Sequence, residues 1–212
     1  MKVLLVNGSP HQHGCTYTAL AQVAHTLQEE GIDSEIFWIG NKPIGGCIGC
    51  HGCIMLGKCA FDDDPVNAFT AKAKEADGFI FGSPVHYAAA TGNMTAFMDR
   101  VFYSDGCGKG RAFYLKPAAA VASARRAGTT ATLDQLNKYF TIAQMPVISS
   151  RYWNMVHGFT PEDVMNDLEG LQVMRVLARN MAYFLEVQSR RCRRRRRAAQ
   201  NGSEPFSTNF VD

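Results

Sequence analysis

Lys2-Val3-Leu4-Leu5-Val6-Asn7-Gly8-Ser9-Pro10 is the stretch that decides the fold. Four apolar residues run without a break after Lys2, the pattern of a short strand covered on both faces, and Gly-Ser-Pro then supplies turn chemistry. Downstream, Leu20, Val23, Ala24 and Leu27 recur at helical spacing, and Gly31 marks the stop. The same alternation continues along the chain. Strands are expected at 34–39, 78–82, 117–122 and 145–149, and helices at 68–76, 92–103, 130–143 and 164–186, the last after Pro161 in a first helical turn. Strand, crossover and strand in repetition imply an α/β domain whose five-stranded parallel sheet is flanked by helices on both faces.

Composition bounds the rest. A chain of 212 residues with 46% hydrophobic and 19% charged residues is long enough for one domain with a full core. It has no apolar run of membrane-span length, and its N-terminus lacks a signal-peptide layout, so a cytoplasmic protein is expected. The formal charge is +3, but seven arginines fall between Arg190 and Arg197, and setting them aside leaves −4. The basic character is therefore a local feature of the C-terminal end. The expected division is a domain over 1–188 and an Arg-rich, then polar, tail over 189–212. The Arg run invites a nucleic-acid, anionic-membrane or acidic-protein partner; with no interleaved aromatics, a solvated helix end is the plainer reading.

In open parallel sheets ligands bind beyond the carboxyl ends of the strands, and the informative residues here follow strands. Residues 8–16 join the first strand to the first helix with glycines, hydroxyls and a helix N-terminus, which suits a phosphate. The glycine spacing of the dinucleotide fingerprint and the lysine of the nucleotide P-loop are both missing, which disfavours nucleoside-triphosphate hydrolysis. Ser9 or Thr16 capping an ordinary turn is the competing reading. After the third strand comes a proline-stiffened, aromatic turn at 83–87. After the fourth come Arg125, Arg126 and Gly128.

Seven cysteines without an export signal argue for metal or redox use of thiolates rather than disulfides. Cys47, Cys50, Cys53 and Cys59, in a glycine-rich loop at 45–61, have the spacing C-x2-C-x2-C-x5-C. Such a loop can wrap a [4Fe–4S] cluster, hold a tetrahedral zinc, or carry free thiols, and the spacing alone leaves all three open. Asp62, Asp63 and Asp64 read either as a divalent-ion site or as a solvated turn and helix cap. Cys107 and Cys192 have no partner by spacing. Met94, Met98, Met174 and Met181 read as core filler.

Gly8-Ser9-Pro10 with Thr16, Ser83-Pro84-Val85-His86-Tyr87 with Gly92 and Phe97-Met98-Asp99-Arg100, and Arg125-Arg126-Ala127-Gly128-Thr129 together resemble the flavodoxin-like NAD(P)H-dependent FMN reductase superfamily. The cysteine loop resembles that of its iron–sulfur flavoprotein branch. The likeness runs from Met1 to about Tyr183 and resumes at Thr208-Asn209-Phe210; it departs at His11, often Arg in the family, and at Cys15, often Asn or Ser. It implies that Ser9, His11, Cys15 and Thr16 hold the FMN phosphate, that Pro84, Val85, His86 and Tyr87 line the ribityl chain and ring, and that Ser123, Ala124, Arg125, Arg126 and Gly128 flank the ring. Cys47, Cys50, Cys53 and Cys59 are the implied metal ligands. The implied activity is ping-pong transfer of electrons from NAD(P)H through FMN to a quinone, a flavin or another small acceptor. In this reading Arg125 and Arg126 stabilise negative charge, and His86 and Tyr87 are the nearest acid–base candidates. The alternatives are an iron–sulfur electron carrier exchanging with ferredoxin-like partners, and a zinc-containing nucleic-acid-binding protein using the Arg run. A homodimer or homotetramer without membrane attachment is expected.

Overall fold

The structure, a computed structural model, describes residues 1–195, with side chains through Ser189. Arg196, Arg197, the 208–210 segment and the side chain of Cys192 lie outside the described residues. Strand β1 (Lys2–Asn7) pairs in parallel with β2 (Asp33–Trp38) on one side and with β3 (Gly78–His86) on the other. Beyond β3 lie β5 (Ala118–Ala124) and β6 (Met155–His157), also parallel, so the order is β2-β1-β3-β5-β6. A two-residue strand, β4 (Ala89–Ala90), folds back antiparallel on the end of β3. The expected five-stranded parallel sheet, flavodoxin-like in order, is therefore present.

Side chains alternate across each strand, and the two faces differ. Leu4, Val6, Phe79, Phe81, Ala118 and Ala120 face α3 (Pro65–Glu75), α4 (Gly92–Cys107) and α5 (Thr129–Ile142). This side is aromatic: Phe69 of α3 meets Phe79, Phe81, Phe97 and Phe113 at centroid distances of 5.2–6.4 Å, and the alanines of β5 leave room for those rings. Val3, Leu5, Ile80, Ala119 and Val121 face α1 (Cys15–Glu29), α6 (Pro161–Asn166) and α7 (Leu168–Arg195), an aliphatic side. A five-residue helix, α2 (Gly52–Leu56), lies within the cysteine loop. Among the described residues no helix is long and apolar enough to cross a membrane.

Two expectations are corrected. The apolar run 145–149 touches the sheet only at a Val147–Ala118 bridge. Pro146 has no N–H to give, the chain leaves the sheet edge, and pairing resumes at Met155–His157. The periodic run 164–186 is two helices rather than one, and α7 extends to Arg195. Asp167 breaks it, accepting from the Gly170 N–H at 2.9 Å and from the His157 N–H at 2.7 Å. The Arg run through Arg195 continues α7.

Candidate functional site

The chain leaves β1 toward β2 and returns on the other side to β3, so a crevice opens where these strands end. Gly8 sits in it: its N–H donates to the Gly82 carbonyl at 2.8 Å, and a Cβ there would lie 2.7 Å from the Met94 sulfur. Beyond it is a cleft of about 830 Å³, within the usual size of small-molecule sites.

The first loop is held from beneath. Asn7 is fully buried and uses both ends of its amide: Oδ1 accepts from the Ser9 N–H and Nδ2 donates to the Gln12 carbonyl, each at 3.0 Å. Ser9 Oγ accepts from the His11 N–H at 3.1 Å, and Trp38 Nε1 donates to the Ser9 carbonyl at 2.8 Å. The pinned loop delivers the chain into α1 with Gly14 as N-cap. Gly14 has no side chain to cap the first turn, and that turn carries no acidic residue. The positive end of this helix therefore meets the cleft with no carboxylate of its own in place. Beneath it, Thr16 Oγ1 and Ser123 Oγ lie 2.8 Å apart, both buried, tying α1 to the end of β5.

Ser9, His11, Cys15 and Thr16 border the cleft, as do Pro84, Val85 and His86 and then Ser123, Ala124 and Arg125. The Cys15 thiol is turned to the Gly158 carbonyl, 3.7 Å away, and burial raises its pKa. What Cys15 offers the cleft is its backbone rather than a thiolate.

Three expected residues do not border the cleft. Tyr87 is at the tip of the β3–β4 hairpin, at φ 60° and fully exposed. The side chain of Arg126 lies in the exposed turn after β5. Gly128 acts one step back: at φ 92° it caps α5, and a Cβ there would lie 2.7 Å from Val85 Cγ1, so its smallness lets the third loop close on the second. Trp38, Asn41 and residues 158–161 also border the cleft and were missed. Gly158 follows β6, an edge strand that only its pairing with β5 reveals.

In the cysteine loop Cys53 and Cys59 are buried and Cys47 and Cys50 exposed, and all four line one small hollow. Cys59 is the most tightly held. Asn67 accepts from its N–H at 3.0 Å and donates to its carbonyl at 2.9 Å, while Arg100 Nε donates to its sulfur at 3.3 Å. Cys53 is pushed above the usual thiol pKa by burial. His51 is exposed, 3.2 Å from the Tyr103 hydroxyl. The carboxylates divide their work: Asp64 caps α3 through the Val66 N–H and pairs with Arg100, and Asp62 pairs with Lys58. This supports the turn-and-cap reading over the divalent-ion one. Among the described residues no three His, Cys, Asp or Glu are gathered closely enough to share one metal ion. A tetrahedral zinc needs its sulfurs about 2.3 Å from a single point, and the four thiols do not have that arrangement.

A sequence profile described as NADPH-dependent FMN reductase matches residues 1–160. An iron–sulfur flavoprotein of Methanocaldococcus jannaschii is 34% identical over 196 residues, covering 88% of this chain and 98% of the relative. A second iron–sulfur flavoprotein of that organism is 29% identical over 200 residues, covering 88% and 96%. Among solved structures, RosB, crystallised with 8-demethyl-8-formylriboflavin-5'-phosphate, matches with a TM-score of 0.71 over 100% of this chain and 92% of its own, at 14% identity, a likeness of fold. With a profile over most of the chain and a relative similar along nearly its whole length, the chain belongs to the NADPH-dependent FMN reductase family, in its iron–sulfur flavoprotein branch, and is an oxidoreductase of the FMN-binding type.

Proposed function

We propose that the cleft binds FMN with its phosphate at the N-terminus of α1 and its ring between the 84–86 and 123–125 segments, and that the protein passes electrons from a reduced nicotinamide to a small acceptor such as a quinone or a second flavin. The observation that carries this is the start of α1, with no side-chain cap and no acidic residue in its own first turn, held open by the Asn7–Ser9–Trp38 network at the edge of an 830 Å³ cleft. Backbone N–H groups there suit a dianion, and a flavin phosphate is the ligand named for RosB. Bound FMN supplies the electron chemistry, taking two electrons from the nicotinamide and releasing them one or two at a time. The chain's residues position it. Pro84 and Val85 offer an apolar wall, and Arg125, exposed at the rim, places a permanent cation near developing negative charge. With donor and acceptor both meeting the same flavin ring in this cleft, turnover would be ping-pong. The reading is tested by titrating flavin-free protein with FMN and then following oxidation of NADH and NADPH. Absence of FMN binding refutes it.

A second reading rests on the four thiols around one hollow, although among the described residues they are not gathered as a ready-made metal site. A cubane gives each thiolate its own iron, so it needs no single shared point, and a glycine-rich loop lets backbone N–H groups turn toward sulfur. Cys47, Cys50, Cys53 and Cys59 would hold it, and it would supply one-electron exchange with a protein partner of the ferredoxin type. Iron, acid-labile sulfide and flavin measured on anaerobically purified protein decide whether the cluster is present. We place this chemistry in a cytoplasmic homo-oligomer, which sedimentation of the holoprotein tests.

A further inference from the structure

The Arg100 side chain is 3% exposed, and the four hydrogen bonds of its guanidinium go to the cysteine loop and its flanks. From α4 its Nε donates to Cys59 Sγ at 3.3 Å, Nη1 donates to the Gly45 carbonyl at 3.2 Å and to Asp64 Oδ2, and Nη2 donates to the Phe61 carbonyl at 3.1 Å. One planar group therefore joins the start of the loop, its last cysteine and the turn that follows. The two carbonyls and the carboxylate take three of the five N–H groups and by themselves tie the loop to α4. The fourth donor goes to a sulfur, a weak acceptor unless it carries negative charge.

We infer that Arg100 is a positioning residue that tunes the reduction potential of the cluster proposed above, through its hydrogen bond to the Cys59 sulfur, with Asp64 setting how much of the arginine's charge the sulfur feels. The inference rests on the cluster reading. Reducing a four-thiolate cluster adds one electron and makes the whole one unit more negative. A donor and a cation beside one ligand sulfur stabilise that reduced form and raise the potential. A carboxylate on the same guanidinium opposes them. The two partners should therefore act in opposite directions, which bracing alone does not predict.

The test uses holoprotein in a mediated redox titration followed by electron paramagnetic resonance, alongside iron and sulfide content. Arg100→Lys keeps the charge and the pairing with Asp64, but its single nitrogen cannot also serve the sulfur and both carbonyls; its midpoint should fall below the wild-type value. Asp64→Asn keeps a good helix cap and leaves the guanidinium in place without its counter-charge; its midpoint should rise. If Arg100→Lys loses the cluster, Asp64→Asn alone carries the test. Midpoints unchanged in the assembled variants, or moved in the same direction, overturn the inference while leaving the cluster reading intact. A wild-type protein without iron and sulfide refutes the cluster reading itself, and the inference with it.

Discussion

Replacing Asn7 by Ala tests whether the first loop is built in advance for its ligand. The amide makes two hydrogen bonds, both at 3.0 Å, to Ser9 and Gln12. At roughly 1 kcal/mol net for each, about 2 kcal/mol favours the ordered loop. That sum must be lost somewhere in the FMN-bound protein, and the split is informative. If the loop stays ordered without Asn7, stability takes the whole loss and affinity none. If the loop loosens, stability loses less, and the remainder appears when FMN has to order it again. His11, Gln12 and His13 are exposed and leave little core behind if they move. Loosening is therefore the cheaper response, and most of the loss falls on affinity. The expected result is FMN binding weakened at least tenfold, about 1.4 kcal/mol, read by quenching of flavin fluorescence, with urea unfolding of the flavin-free protein accounting for the balance. Asn7→Asp keeps the acceptor for Ser9 but places a negative charge beneath the phosphate site, and should weaken binding further. Affinity within twofold of wild type in Asn7→Ala, with all the loss in stability, would refute the idea that this network holds the cradle open.

Three further outcomes follow from the packing. Burial raises Asp105 above the usual carboxylate range, although the Ala112 N–H donates to it. Between the unfolded value of about 3.9 and the raised folded one the native state holds the extra proton, so the carboxyl costs stability as pH rises through that window; Asp105→Asn should be the more stable form at neutral pH, with the advantage shrinking in thermal melts below about pH 4. Gly128→Ala forces a side chain into φ 92° against Val85 and should cost about 1–2 kcal/mol in denaturant unfolding, with weaker FMN binding as the second and third loops separate; equal affinity would show that the contact does not shape the cleft. Phe69→Ala removes the hub of the aromatic face and should cost about 3–5 kcal/mol, so a loss under 1 kcal/mol would mean that the face repacks freely.

What could be read from the sequence divides by the range of the interaction that sets it. The central strands were legible because burial on both faces leaves an unbroken apolar run, and the strand-end loops followed from them. The edge of the sheet was not. Residues 145–149 have the apolar character of a strand, but Pro146 and the chain's exit at the edge are settled by pairing with Ala118, which no local pattern reports. That single misplacement hid residues 158–161 from the candidate site, because a loop is recognised as functional only after the strand before it is. Residues 83–87 illustrate the converse. Proximity in sequence placed His86 and Tyr87 together, yet the positive φ of Tyr87 turns the hairpin and carries its ring into solvent. Arg100 belongs to the Phe97-Met98-Asp99-Arg100 run that resembles the family, but its partners Gly45, Cys59, Phe61 and Asp64 lie 36–55 residues away in the chain. Spacing can name four thiols in a row as a ligand set. The charge that acts on one of their sulfurs comes from another element, and only the fold brings the two together.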